Sequence, residues 1–149
     1  LVFKNCNEQV PLPQKFLNED SLLLKAANDA VKEAKKSLEK FAFHESLEEI
    51  WRVIRLANGY IDRQAPWKLS KEDPERMETV LYVLMETLRY IAILTQPFMP
   101  HSSNQILDQL SVAQEKRTYN HLNEAHSLAP GRRITEPFGV FPRYQDNKK

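Results

Sequence analysis

The side chains best suited to chemistry are few, and their spacing does not favour it. His44, His101, His121 and His126 never fall three or four residues apart, the helical spacing that turns two imidazoles toward one metal, and no cysteine or carboxylate pattern completes a ligand set. No metal site is expected. Cys6 is alone, so no intramolecular disulfide can form, which fits a reducing compartment. The three glycines, Gly59, Gly131 and Gly139, lie too far apart to build a phosphate loop, and no Gly-x-Ser-x-Gly elbow occurs. Catalysis by these residues alone is not expected, which leaves recognition.

Trp67 is the residue that suggests recognition. It follows Pro66 directly, and it stands in a basic window: over residues 51 to 71, Arg52, Arg55, Arg63, Lys68 and Lys71 face Asp62 alone, five against one, although the whole chain carries only +1. A tryptophan on a rigid turn with cations close by is what a reader of single-stranded RNA requires, namely a flat face for an unstacked base and positive charge for phosphates. The competing reading is that Trp67 plugs the end of a helical bundle. Trp51 is the internal control: it falls on an apolar helical series and is expected in the core.

The elements that must hold these residues are helices. From Ser21 to Phe41 the series Leu23, Ala27, Ala30, Ala34, Leu38, Phe41 steps by four or three, with Asn18, Asp20 or Ser21 available as a cap. From Ser46 to Gln64 the series Leu47, Ile50, Trp51, Ile54, Ala57, Ile61 does the same, with Ser46 as the expected N-cap and Pro66 as the stop. Asp73-Pro74-Glu75 is a cap with proline at the first helical position, opening a third helix through Met77, Val80, Leu81, Leu84, Leu88 and Ile91 that must end before Pro97. A shorter helix is expected from Ser102 to Leu110. The prediction is an all-α fold, an antiparallel helix bundle over residues 1–117. An extended C-terminal tail over 118–149 follows, whose Ile134, Phe138, Val140 and Phe141 pack on the bundle or on a neighbouring domain.

At 42% hydrophobic and 28% charged residues the chain suits one compact domain rather than disorder. No stretch approaches the roughly 18 apolar residues of a membrane span, and the first residues lack a signal-peptide layout, so an intracellular place is expected. The chain opens on Leu1 within an apolar helical segment, which suggests a fragment or a processed product.

The run Ala57-Asn58-Gly59-Tyr60-Ile61-Asp62-Arg63-Gln64-Ala65-Pro66-Trp67-Lys68-Leu69 resembles a segment of the methionyl-tRNA synthetases, in which an Asn-x-Tyr-(Ile/Val)-Asp element leads into Ala-Pro-Trp. Met77 to Leu94 is similar to that family's next helix, and Gln96-Pro97-Phe98-Met99-Pro100 to the turn after it. Gly139-Val140-Phe141-Pro142-Arg143-Tyr144 is similar to its Phe-Pro-Arg ending. The ordered set spans about 90 residues, which is specific where each part alone is not. It looks most like synthetases of the alphaproteobacterial type and their mitochondrial relatives. The tetrapeptide Lys68-Leu69-Ser70-Lys71 resembles the lysine-rich ATP loop of class I synthetases, but it lacks the small residues that follow that loop and simply leads into Asp73-Pro74.

The resemblance implies a bundle of the class I anticodon-binding type and tRNA anticodon binding through Trp67, which would stack on the first base of CAU. Asn58, Asp62 and Arg63 are lesser candidates on the preceding turns, and a polar helix end without RNA contact is the other reading of Asn58 and Asp62. The family's further readers, an Asn and an Arg one helical turn apart, would precede Leu1. Partners would be methionine tRNA and the synthetase's own catalytic domain, with no membrane. No cofactor is expected in these residues, ATP and methionine being used by the missing catalytic domain. The expected location is the cytoplasm or, for the mitochondrial relatives, the matrix. A helical protein-interaction module with no RNA role is the alternative, with Trp67 as its anchor.

Overall fold

A computed structural model describes Cys6 and residues 9–134, and the side chain of residue 124 is left undescribed. Among the described residues five α-helices carry the fold: α1 (Asn18–Glu39), α2 (Phe43–Gln64), α3 (Pro66–Glu72), α4 (Pro74–Thr95) and α5 (Pro100–Gln109), followed by three short 3-10 turns. No strand occurs among the described residues; the one ladder contact is an antiparallel bridge between Gln9 and Arg133. The chain is all-α, as expected.

The row Ala27, Ala30 and Ala34 on α1 is fully buried. Side chains this small let α2 approach closely, and the Ser46 hydroxyl crosses the gap to the Ala34 carbonyl at 3.3 Å. Ser46 is therefore no N-cap. It lies inside a helix that already begins at Phe43, because a buried hydroxyl is satisfied by a neighbouring helix as well as by its own first turn. Phe41 also departs from expectation: α1 stops at Glu39, and Phe41 sits in the connecting turn at φ 59° and 79% exposed.

Helix α4 is the axis of the molecule, with burial nearly all round from Met77 to Thr95. Its start follows the sequence reading, since the Asp73 carboxylate accepts the Arg76 amide at 3.2 Å with Pro74 in the first turn. Residues 110–134 return across it. Arg89 and Glu86, both buried, form an ion pair at 3.0 Å; Arg89 also donates to the His121 carbonyl at 2.9 Å, and Glu86 accepts the Leu128 amide at 2.6 Å. Ile134 packs on the core cluster built around α1 and α4, whereas Phe138, Val140 and Phe141 lie outside the described residues.

Trp51 is not in the core. Its side chain is 56% exposed, while the buried face of α2 runs through Ser46, Ile50, Val53, Ala57 and Tyr60. One residue on from Ile50 is about 100° around the helix, so a stripe wide enough to hold both cannot be buried by the two helices that α2 meets.

Candidate nucleic-acid interface

The geometry around Trp67 begins with a residue the sequence does not advertise. Ala65 adopts φ 45°, ψ 63°, the left-handed region that a non-glycine residue enters only at a cost, and it serves at once as the C-cap of α2 and the N-cap of α3. Its amide still closes on the Ile61 carbonyl at 2.9 Å, and its own carbonyl accepts the Lys68 amide at 2.9 Å. The chain thus turns sharply without a gap in its hydrogen bonding. The sequence offers the short helix α3 only as the lead-in to Asp73; it forms because Pro66 is pre-set for a first helical position.

Helix α3 is pinned from below and open above. Pro66 is buried, and Leu69 packs with Cys6, Met77 and Leu81. Trp67 is 52% exposed, with its carbonyl held by the Ser70 hydroxyl at 2.9 Å.

Beneath the break lies a polar knot that joins three helices. Asp20, 0% exposed, accepts the Tyr60 hydroxyl at 2.6 Å and both terminal nitrogens of Arg76 at 2.6 and 2.8 Å, and its Oδ2 also accepts the Leu17 amide at 2.9 Å. Arg76 reaches on to Gln64 at 2.9 Å, and Gln64 donates to Glu19. Burial alone would raise the Asp20 carboxyl, but the hydrogen bonds from Arg76, Tyr60 and Leu17 outweigh it and hold the group below its ordinary value. Burial, reinforced by the Asp20 carboxylate, drives the Tyr60 phenol upward. At neutral pH the knot is a carboxylate, a phenol and a guanidinium. In the sequence Asp20 is legible only as a possible cap; a tyrosine on an apolar helix face, needing a partner for its hydroxyl, is the available signal.

The other candidates divide into two directions. Asn58 and Asp62, four residues apart, share an exposed face of α2. Arg63 lies about 100° further round and turns away. Its Nη1 lies 3.1 Å from where a Cβ on Gly59 would stand, and its Nε pairs with Glu19 of α1 at 3.3 Å. Within the basic window Arg52 is paired with Glu49 at 3.1 Å, whereas Arg55, Lys68 and Lys71 have no ion pair among the described residues. The free positive charge therefore flanks Trp67 and the Asn58–Asp62 face.

His121 and His126 do meet, edge to face at 4.7 Å between ring centroids, with one ring nitrogen each taken by Thr118 and Asn123. Among the described residues no group of three metal-ligating side chains converges, and no helix is long and apolar enough to cross a membrane.

Comparison with known proteins bears on the whole arrangement. A family model described as the anticodon binding domain of methionyl tRNA ligase matches residues 10–149. The methionine–tRNA ligase of Rhizobium meliloti is 42% identical over 144 residues, covering 97% of this chain and 28% of that protein. That of Rickettsia felis is 43% identical over 147 residues, covering 97% of this chain and 29% of that protein. Among solved structures, the apo form of the Mycobacterium tuberculosis methionyl-tRNA synthetase superposes with a TM-score of 0.92 at 38% identity, covering 97% of this chain and 30% of that one. The chain thus spans less than a third of the length of the relatives it matches.

Proposed function

This chain belongs to the anticodon-binding domain family of the methionyl-tRNA ligases, and on that footing we propose that its surface at the helix break reads the CAU anticodon of methionine tRNA. The observation that carries the reading is the state of Trp67, whose ring stands half in solvent on a turn anchored by buried Pro66. Such a ring offers a base a stacking face already ordered before binding.

Asn58 and Asp62 would take base edges, an amide offering donor and acceptor and a carboxylate accepting from exocyclic amines. Lys68, Lys71 and Arg55 would meet phosphates. Arg63 is available at small cost, because an exposed ion pair such as its contact with Glu19 is worth at most about 1 kcal/mol. The reaction served is the joining of methionine to tRNA with ATP, in the cytoplasm or matrix, by a catalytic domain outside these residues.

The test is aminoacylation by the full-length synthetase. Trp67→Ala should lower charging of methionine tRNA and its preference over anticodon-altered tRNA, with methionine activation by ATP unchanged. Normal charging with preference intact would reject the reading. RNA binding that ignores salt would favour a protein-docking role instead, because phosphate contacts weaken steeply as salt rises.

A further inference from the structure

Where residues 110–134 return across α4 they enclose a small cavity of about 110 Å³, room for roughly three to four waters. Four basic side chains line it, Arg89 of α4 with Lys116, His126 and Arg132 of the returning segment, and no carboxylate does. Glu115 belongs to the same 3-10 turn as Lys116 but is not among the lining residues. The cavity lies about 20 Å along α4 from the helix break, since Arg89 is fifteen residues past Pro74 at roughly 1.5 Å each.

The positive charge there is only partly answered. Arg89, 1% exposed, is matched by Glu86, whereas Lys116 and Arg132 are exposed and have no ion pair among the described residues. Burial, and beyond it the positive charge of His121, Lys116 and Arg89, hold His126 below its ordinary value. The walls are also fixed in advance. Leu128 gives its amide to Glu86 at 2.6 Å and takes the Tyr82 hydroxyl on its carbonyl at 2.9 Å. Ser111, at φ 58°, donates its hydroxyl to the Arg133 carbonyl at 2.7 Å, and buried Arg117 holds the Val112 carbonyl at 2.7 Å. Holding unanswered cations around a preformed hollow costs free energy in the empty protein and returns it when an anion enters.

We infer that this cavity is a subsite for a single phosphate group, with Lys116 and Arg132 as its charged contacts and the Arg89–Glu86 pair as its fixed floor. Size and charge select that ligand. The volume suits one tetrahedral oxyanion and is too small to enclose a base or sugar as well, since pockets for larger ligands begin near 300 Å³. A phosphate offers several outer oxygens, so the Arg132 fork and the Lys116 ammonium can be met at once, whereas a carboxylate with one charge suits one of them. The group can come from an RNA backbone passing the mouth of the cavity or from free inorganic phosphate, and the recognising chemistry is the same.

The inference rests on the cavity's shape and charge and not on the anticodon reading, so either can fail alone. The experiment compares the full-length synthetase with its Lys116→Ala/Arg132→Ala variant and with Lys25→Ala/Lys40→Ala, a charge-matched control at exposed positions of α1 and its end. One arm measures the melting temperature in inorganic phosphate against chloride of equal ionic strength; phosphate held elsewhere in the synthetase is common to all three proteins. The other arm measures tRNA binding across a salt series. The cavity variant should melt like the parent in chloride and lose part of the rise that phosphate gives the parent, while Lys116→Arg/Arg132→Lys and the control keep it. If the phosphate is that of an RNA backbone, the log–log salt slope of the cavity variant should also fall by about 0.7 to 0.9, the share of one phosphate. An unchanged slope with the phosphate effect lost assigns the subsite to free phosphate. The inference is overturned if the cavity variant keeps both the phosphate effect and the slope, or if the control loses as much as the cavity variant does.

Discussion

The end of the bundle beneath Trp67 and the surface above it are built to opposite rules. Below, Asp20, Tyr60 and Arg76 are withdrawn from water and satisfy one another across α1, α2 and α4. Above, Trp67, Asn58, Asp62, Lys68 and Lys71 face solvent with few internal partners. Burying a carboxylate and a guanidinium together adds little net stability, but it fixes how three helix ends meet. That juncture sets the direction in which α3 leaves Ala65, and hence where the indole stands. Stability and recognition therefore fall on different side chains a few residues apart, and substitutions should separate them.

The largest effect is expected at Asp20. Asp20→Ala would strand the Arg76 charge and the Tyr60 hydroxyl, costing about 3 to 5 kcal/mol. For a chain of this size that is a fall of roughly 10 °C in melting temperature, measurable by circular dichroism. The same carboxyl titrates below its ordinary value in the fold, so its contribution is complete at neutral pH. It is lost as pH falls below the usual carboxylate range and through the lower folded value. Asp20→Asn should flatten that acid limb of the stability curve. If both variants melt like the parent, the knot does not hold the juncture together.

Next comes Trp67→Ala in the full-length enzyme, expected to lower tRNA kcat/KM by about 1 to 3 kcal/mol, roughly tenfold to a hundredfold, with the melting temperature nearly unchanged. Trp67→Phe should recover part of the loss. A stability loss matching the activity loss would move Trp67 from the surface to the structural side of the comparison.

Smaller still is the charge term. Lys68→Ala should weaken tRNA binding modestly and reduce the salt dependence by about 0.7 in the log–log slope, the share of one phosphate on a single strand. A slope unchanged in a salt titration would place Lys68 off the RNA path.

The smallest effect on stability is expected for Trp51→Ala in the 149-residue chain. An exposed side chain there should cost no more than about 0.5 kcal/mol in denaturant unfolding. A buried tryptophan would cost about 3 to 5 kcal/mol. This contrast separates the two tryptophans that periodicity alone would have ranked the other way.

Much of this protein is legible in its sequence, because helices are written in local patterns. The four-three spacing of Leu23, Ala27, Ala30 and Ala34, the Asp73-Pro74 start and the stop before Pro97 rest on backbone geometry and capping within a few residues, and the helices stand where those signals put them. The family motif at Ala65-Pro66-Trp67 is likewise a local run. What only the tertiary structure decided is which side of each helix is covered. Trp51 and Ile50 are neighbours in one apolar series, yet one is exposed and the other buried, because burial depends on where α1 and α4 lie against α2. Asp20, Tyr60 and Arg76 are 40 and 56 residues apart along the chain and became a single knot only when three helix ends met. The left-handed turn at Ala65 belongs to the same class: nothing about an alanine announces it, and it exists because buried Pro66 and half-buried Leu69 hold α3 against α4. Periodicity records the faces a helix has available, and the partners packed against it determine which face is hidden from water.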